Sequence, residues 1–367
     1  MTPDEKGTSM VSLRSLLDEM AKVRASDLHL TAGIPAQLRV DGDLTASKIS
    51  GVLTPDVTQR LAYSALNDEQ KKIFENKKEL DFSFGVKGLA RFRGNLFVQR
   101  GVCTMVVRMI PFQVQPFETL GLPNSVLKFA DLPRGLVLVT GPTGSGKSTT
   151  LASLIDRINS EKPLHIVTIE DPIEFMHSHK RAVVNQREVG ADTHSFHDAL
   201  KHILRQDPDV ILLGEMRDRE TMETALTVAE TGHLAFATLH TNSAMESISR
   251  IVDSFPADQH QQLFSQLAFV LKGVVTQSLL PRAGTPGRAL ASEVLVCTPA
   301  ISALIREGKV HQIYSLMQAG QKFGMQTLNQ SLAALLARRE ISHEDAVGRS
   351  PDPKELEGMI GRAMAIA

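Results

Sequence analysis

The clearest chemical signal in the 367-residue sequence is a run of glycines with a lysine and a serine, GPTGSGKSTT, at residues 141–150. It fits G-x-x-x-x-G-K-[ST], directly follows the apolar run LVLVT, and directly precedes a helical pattern carrying Leu151, Leu154 and Ile155. That context identifies a phosphate-binding P-loop. Gly141, Gly144 and Gly146 let the backbone wrap with its N–H groups inward, and the start of the next helix adds partial positive charge. Pro142, Thr143, Ser145 and Thr149 complete the wrapping segment. Lys147 is expected to reach the β- and γ-phosphates of ATP, and Ser148 to ligate Mg²⁺.

Cleaving a phosphate also needs one carboxylate near the magnesium and one that orients a water. Two apolar runs end in acids: HIVTIEDPIEF gives Glu170 and Asp171 before Pro172, and DPDVILLGEMRD gives Glu215, displaced from its strand by a glycine. Glu170 is assigned to the water and Glu215 to the magnesium shell, although the roles are exchangeable on sequence alone. The run TGHLAFATLHT, residues 231–241, adds two histidines. His233 and His240 are an odd seven residues apart, so on one strand they face opposite sides and cannot clasp one ion. His240 closes the carboxyl end of its strand, where α/β sheets place ligands. His233, at the other end, reads as a structural or interface residue.

The elements that must position these residues follow from periodicity. Leu13, Leu16, Leu17 and Met20 recur at helical spacing, alternating strand patterns follow, a second helical stretch covers 57–75, and alternation returns over 79–110. Residues 1–112 therefore read as a small α+β domain. Prolines interrupt any period between 110 and 126, which places a linker at 113–125. From there to 367, short continuous apolar runs alternate with helical segments, predicting an α/β domain on a largely parallel sheet, with a helical carboxyl-terminal portion. Asp218 is expected to cap one helix that stops at Gly232, and Thr298, followed by Pro299, a second that stops at Gly308.

Composition narrows the function classes. Forty basic residues nearly balance 41 acidic ones and aromatics make up 5%. No basic stretch interleaved with aromatics appears, which argues against nucleic-acid work. Cys103 and Cys297 are far apart, so neither a disulfide framework nor a four-cysteine zinc site is expected. The first residues, MTPDEKGTSMVSL, do not read as a secretory signal, and no apolar run approaches the roughly 20 residues of a membrane span. A cytoplasmic protein, at most peripheral to a membrane, is the expectation.

GPTGSGKSTT, TIEDPIEF, NQREVG, LRQDPDVILLGEMRD and ETGHLAFATLHTNSA occur in the order of the Walker A, Asp box, Walker B and His box of the secretion ATPase superfamily. The chain resembles its PilT branch, the retraction motors of type IV pili, from SDLHL through FGMQTLNQSL to SPDPKEL. The resemblance implies a homohexamer whose subunits pair a PAS-like domain with a RecA-like P-loop ATPase domain, binding ATP between the two. It implies that both His233 and His240 belong to a nucleotide-sensing His box, and that Arg91, Arg93, Arg100 and Arg108 extend toward phosphates. It further implies an inner-membrane platform partner of the PilC kind at the pilus base, and leaves room for a paralogous retraction ATPase. Extension and type II secretion relatives are usually longer and often carry a four-cysteine motif. AISALIREG, 300–308, is similar to the AIRNLIRE retraction motif but departs at Ser302 and Ala303, so a PilU-like accessory motor stays open. A nucleotide-gated scaffold would be expected to lose the two carboxylates.

Overall fold

Alternating runs in the amino-terminal part pair into an antiparallel sheet. The computed structural model describes residues 11–40, 42–110 and 114–366, with side chains to 361. The chain divides into two units, Met1–Gln113 and Val114–Ala367.

In the first unit, α1 (Leu13–Lys22) precedes β1 (Asp27–Leu30), β2 (Gln37–Val40) and β3 (Asp43–Ala46). Helices α2 (Pro55–Tyr63) and α3 (Asp68–Lys77) lead into β4 (Glu79–Val86), β5 (Ala90–Gln99) and β6 (Val102–Ile110). The sheet order is β3-β2-β1-β6-β5-β4. Leu16, Leu17 and Met20 of α1 join Leu28, Phe92, Leu96 and Met105 in one buried core. The helical stretch expected over 57–75 is two helices. Asn67 forms a capping box with Gln70, starting a new helix that the apolar period alone does not signal.

The second unit carries β7 (Gly135–Thr140), α4 (Lys147–Glu161), β8 (His165–Glu170), β9 (Val183–Glu188), α5 (Phe196–Ile203), β10 (Val210–Leu213), α6 (Arg219–Glu230), β11 (Leu234–Leu239), α7 (Ala244–Asp253) and α8 (His260–Val270). The antiparallel pair β12 (Leu271–Pro281) and β13 (Arg288–Val296) follows, then α9 (Pro299–Arg306), α10 (Ile313–Ala319), α11 (Leu328–Ala337), α12 (His343–Arg349) and α13 (Pro353–Ile366). The strands order as β13-β12-β7-β11-β10-β8-β9, parallel except for β13.

Both faces of this sheet are covered, which is why its strands read as continuous apolar runs. Leu136, Leu138, Ile211, Leu213, Ala235 and Ala237 point into one core with α5 to α9, while Val137, Val139, Leu212 and Phe236 point into a second core with α4. Residues 114–125, expected as linker, belong to the second unit: Phe117 and Leu122 are buried with Leu151 and Leu154 of α4. Their prolines hide a packing role because the segment folds into tight turns, one of them Phe117–Thr119, rather than a periodic element. Asp218 and Thr298 cap α6 and α9 as expected from sequence.

Candidate functional site

Parallel strands align their carboxyl ends, and the candidate chemistry lies along that edge of the second sheet. Thr140 ends β7, and the chain turns at Gly141 (φ 136°) into a loop with Gly144 (φ 76°) and Gly146 (φ 93°) also left-handed. A Cβ on Gly141 would lie 2.3 Å from the carbonyl oxygen of Gln277 and 2.7 Å from Oγ of Ser145, so no other residue fits. Gly146 caps α4 without a side-chain acceptor, which leaves the first N–H groups of the helix directed out of its end. Lys147 Nζ donates to the carbonyls of Gly141 (2.8 Å) and Pro142 (3.1 Å). Burial depresses its proton affinity, opposed by the charges of Glu215 and Glu174. Ser148 and Thr149 follow in the first turn of α4, both partly exposed. A cavity of about 670 Å³ opens beside the loop on its β12 side, where Arg288 and Arg349 reach it.

Glu170 is the last residue of β8. Thr168 Oγ1 donates to its Oε1 at 2.6 Å and Gln186 Nε2, from β9, donates to the same oxygen at 3.2 Å. Burial raises its proton affinity, and the bonds from Thr168, Gln186 and the backbone of Glu174 only partly offset that.

Glu215 stands two residues past β10, after Gly214, where a side chain would be crowded: its Cβ would meet the carbonyl oxygen of Ile169 at 3.2 Å and Cα of Glu170 at 3.3 Å. Met216, buried in the core, donates its N–H to the Thr238 carbonyl at 3.0 Å, so Glu215 is pinned from both sides. Its carboxylate accepts from Arg217 (2.9 Å) and lies 3.1 Å from His240 Nε2. Partial burial pushes its proton affinity up, but Arg217 and His240 together outweigh that and hold it below the usual glutamate range. The two carboxylates thus have opposite proton preferences.

His240 follows β11 and is held in place by Thr241, which is buried and hydrogen-bonded to Ser247 at 2.6 Å. His233 precedes the same strand, and its Nδ1 lies 3.0 Å from Thr231 Oγ1 and 3.1 Å from the Val228 carbonyl. Seven residue steps at about 3.3 Å each separate the histidines by roughly 23 Å. The structure therefore brings His240, and not His233, to the edge that carries Lys147 and the carboxylates. No group of three or more His, Cys, Asp or Glu able to hold a metal ion occurs among the described residues.

The four arginines lie in the first unit. Arg91 and Arg93 are on β5, Arg91 donating to Ser83 at 2.7 Å and Arg93 lying 3.8 Å from Asp81. Arg100 occupies the exposed β5–β6 turn at φ 49°. Arg108, on β6 opposite Arg93, donates to the buried Asp27 at 2.8 Å.

The family profile described as type II/IV secretion system protein matches residues 4–346. The chain belongs to that family. It is 50% identical over 344 residues to the type IV pilus retraction ATPase PilT of Pseudomonas aeruginosa, covering 94% of this chain and 99% of the relative. It is 42% identical to the type IV pilus ATPase PilU of the same organism, covering 95% and 91%. A crystal structure of the pilus retraction motor PilT with bound ADP superimposes with a TM-score of 0.89 at 51% identity, covering 95% of this chain and 99% of that one. Within this secretion-family edge, Thr168, Gln186 and Arg217 are additions that motif spacing missed. Arg217 and Thr168 had a signal, since each stands two residues from its glutamate; Gln186 is identified only by strand pairing.

Proposed function

We propose that this chain is an ATP-hydrolysing motor for type IV pilus retraction. It works as a homohexamer at the cytoplasmic face of the inner membrane and passes its motion to a platform protein at the pilus base. The observation that carries the proposal is the convergence, on one sheet edge, of the glycine loop, Lys147 and two carboxylates of opposite proton preference. Similarity to the PilT proteins, stronger than to PilU, supports retraction as the task. No helix among the described residues is long and apolar enough to cross a membrane.

The donor set fits a magnesium nucleotide. The loop N–H groups and Lys147 meet phosphate oxygens, and Ser148 with the ionised Glu215 would hold Mg²⁺, whose chemistry is to neutralise charge on those oxygens. Glu170 orients the attacking water and takes its proton, a task suited to a carboxylate whose proton affinity is raised. Thr168 and Gln186 fix the rotation of that carboxylate by donating to one oxygen. Arg217 and His240 keep Glu215 charged and directed, and loss of the terminal phosphate would be sensed through His240. His233 has a structural part.

Complementation in the host tests this. Cells lacking the chain should extend pili without retracting them, and a Lys147→Ala copy, expressed at the parent level, should fail to restore twitching. Restoration by Lys147→Ala would defeat the motor assignment.

A further inference from the structure

Strand β12 runs past the end of its neighbour β7. The last pair between them is Thr276 with Thr140, whose hydroxyls meet at 2.8 Å, and the next residue after Thr140 is Gly141, where the phosphate loop begins. Gln277 therefore borders the loop with both its main chain and its side chain. Its carbonyl oxygen occupies the space a Cβ on Gly141 would need. Its amide, 1% exposed, donates from Nε2 to Oγ1 of Thr150 at 2.7 Å. Thr150 is itself 1% exposed and lies in the first turn of α4, just beyond the loop's exit.

Two polar atoms at this place are buried without a hydrogen-bond partner among the described residues: Oγ of Ser145 and Oε1 of Gln277. One can donate and the other can only accept. Ser145 Oγ also sits against the Gly141 Cβ position, on the loop side, as the Gln277 carbonyl does on the strand side.

We infer that Gln277 is the positioning residue of the phosphate loop, fixing its entry at Gly141 and its exit at Thr150 from one strand position. Ser145 donates to Gln277 as the loop tightens around a phosphate, so part of the nucleotide's affinity is set on β12, outside the G-x-x-x-x-G-K-[ST] run. A preorganised loop loses less freedom on binding, which appears as affinity rather than as a new ligand contact. The inference rests on the nucleotide assignment above.

The test uses the full chain, titrated with a fluorescent ADP, alongside thermal melts without nucleotide. Gln277→Met and Thr150→Val should each weaken ADP binding by about 5- to 10-fold, the size expected for one hydrogen bond, with melting within a few degrees of the parent. The double variant should be no weaker than Gln277→Met alone, which already removes the bond to Thr150 along with the acceptor for Ser145. Thr150→Ser, which keeps the acceptor, should bind within about twofold of the parent. If Gln277→Met does not fold, the two Thr150 variants carry the test alone. Unchanged affinity in the variants, losses that add, or lower melting with affinity intact would overturn the inference. A parent that binds no ADP would instead overturn the nucleotide assignment, and this inference with it.

Discussion

Glu215 and His240, at the carboxyl ends of neighbouring parallel strands, meet with Oε1 3.1 Å from Nε2. Arg217 holds the other carboxylate oxygen at 2.9 Å. The pair links the strand end that would face magnesium to the strand end that would sense the terminal phosphate. Replacing His240 or Arg217 with Ala should each lower kcat by about 10-fold, the scale of one hydrogen bond to a charged group. Steady-state ATP hydrolysis with a double-variant cycle measures this, and full additivity would show that the two do not act through Glu215.

The opposite proton preferences give a pH prediction. Glu170 must be ionised to accept a proton, and burial raises its affinity for one, so activity should fall as pH drops through a midpoint above the ordinary glutamate value of 4.5. Glu215, whose affinity is lowered, stays charged through that range. For stability the signs also oppose each other. Glu215 contributes above the ordinary glutamate value, and that contribution is lost as pH falls through its lowered folded value. Ionised Glu170 costs stability, and the cost is fully present above its raised folded value. A kcat profile with its acid midpoint at or below 4.5 would remove Glu170 from the base role.

Gly141→Ala should abolish nucleotide binding and cost roughly 1–3 kcal/mol of stability, because the left-handed backbone and the Gln277 carbonyl leave no space for a methyl group. Gly144→Ala has the strained φ but open space, so it should cost less. Denaturant melts of both variants check the order, and equal losses would show that strain alone decides.

Glu293, buried on β13, accepts the N–H of Ala244 at 2.7 Å and that of Leu328, the first residues of α7 and α11. Burial raises its proton affinity and the two N–H donors partly restore it. Glu293→Gln keeps an acceptor and should hold parental stability at neutral pH. Glu293→Leu strands two buried donors and should cost about 3 kcal/mol, read from chemical denaturation.

Legibility in the sequence followed how local each feature is. The glycine turn between β7 and α4 was readable, because its backbone conformation is written in consecutive residues, and the caps Asp218 and Thr298 likewise. The offset of Glu215 was visible, but its reason, the approach of Glu170's backbone to Gly214, exists only once β8 and β10 pair. His233 and His240 both fall just outside β11, so the parity count on one continuous strand does not apply, and it is the length of the strand that sets them at opposite ends. Gln277 lies in the short polar stretch 276–278 of an otherwise apolar run, and nothing nearby in sequence marks its contact with Thr150, 127 residues away. The segment 114–125 was unreadable for a related reason: its anchors Phe117 and Leu122 follow no period.

Steady-state ATP hydrolysis by the purified parent and by Glu170→Gln, with ADP affinity and oligomer mass measured on the same preparations, tests most directly whether this sheet edge cleaves ATP. The parent should form a hexamer that hydrolyses ATP. The variant should keep the ring and the affinity while losing about 10²- to 10³-fold in kcat. Removing the costly buried charge should also make the variant more stable than the parent at neutral pH. A variant that turns over at the parental rate, or a parent ring that binds nucleotide and never hydrolyses it, would contradict the account.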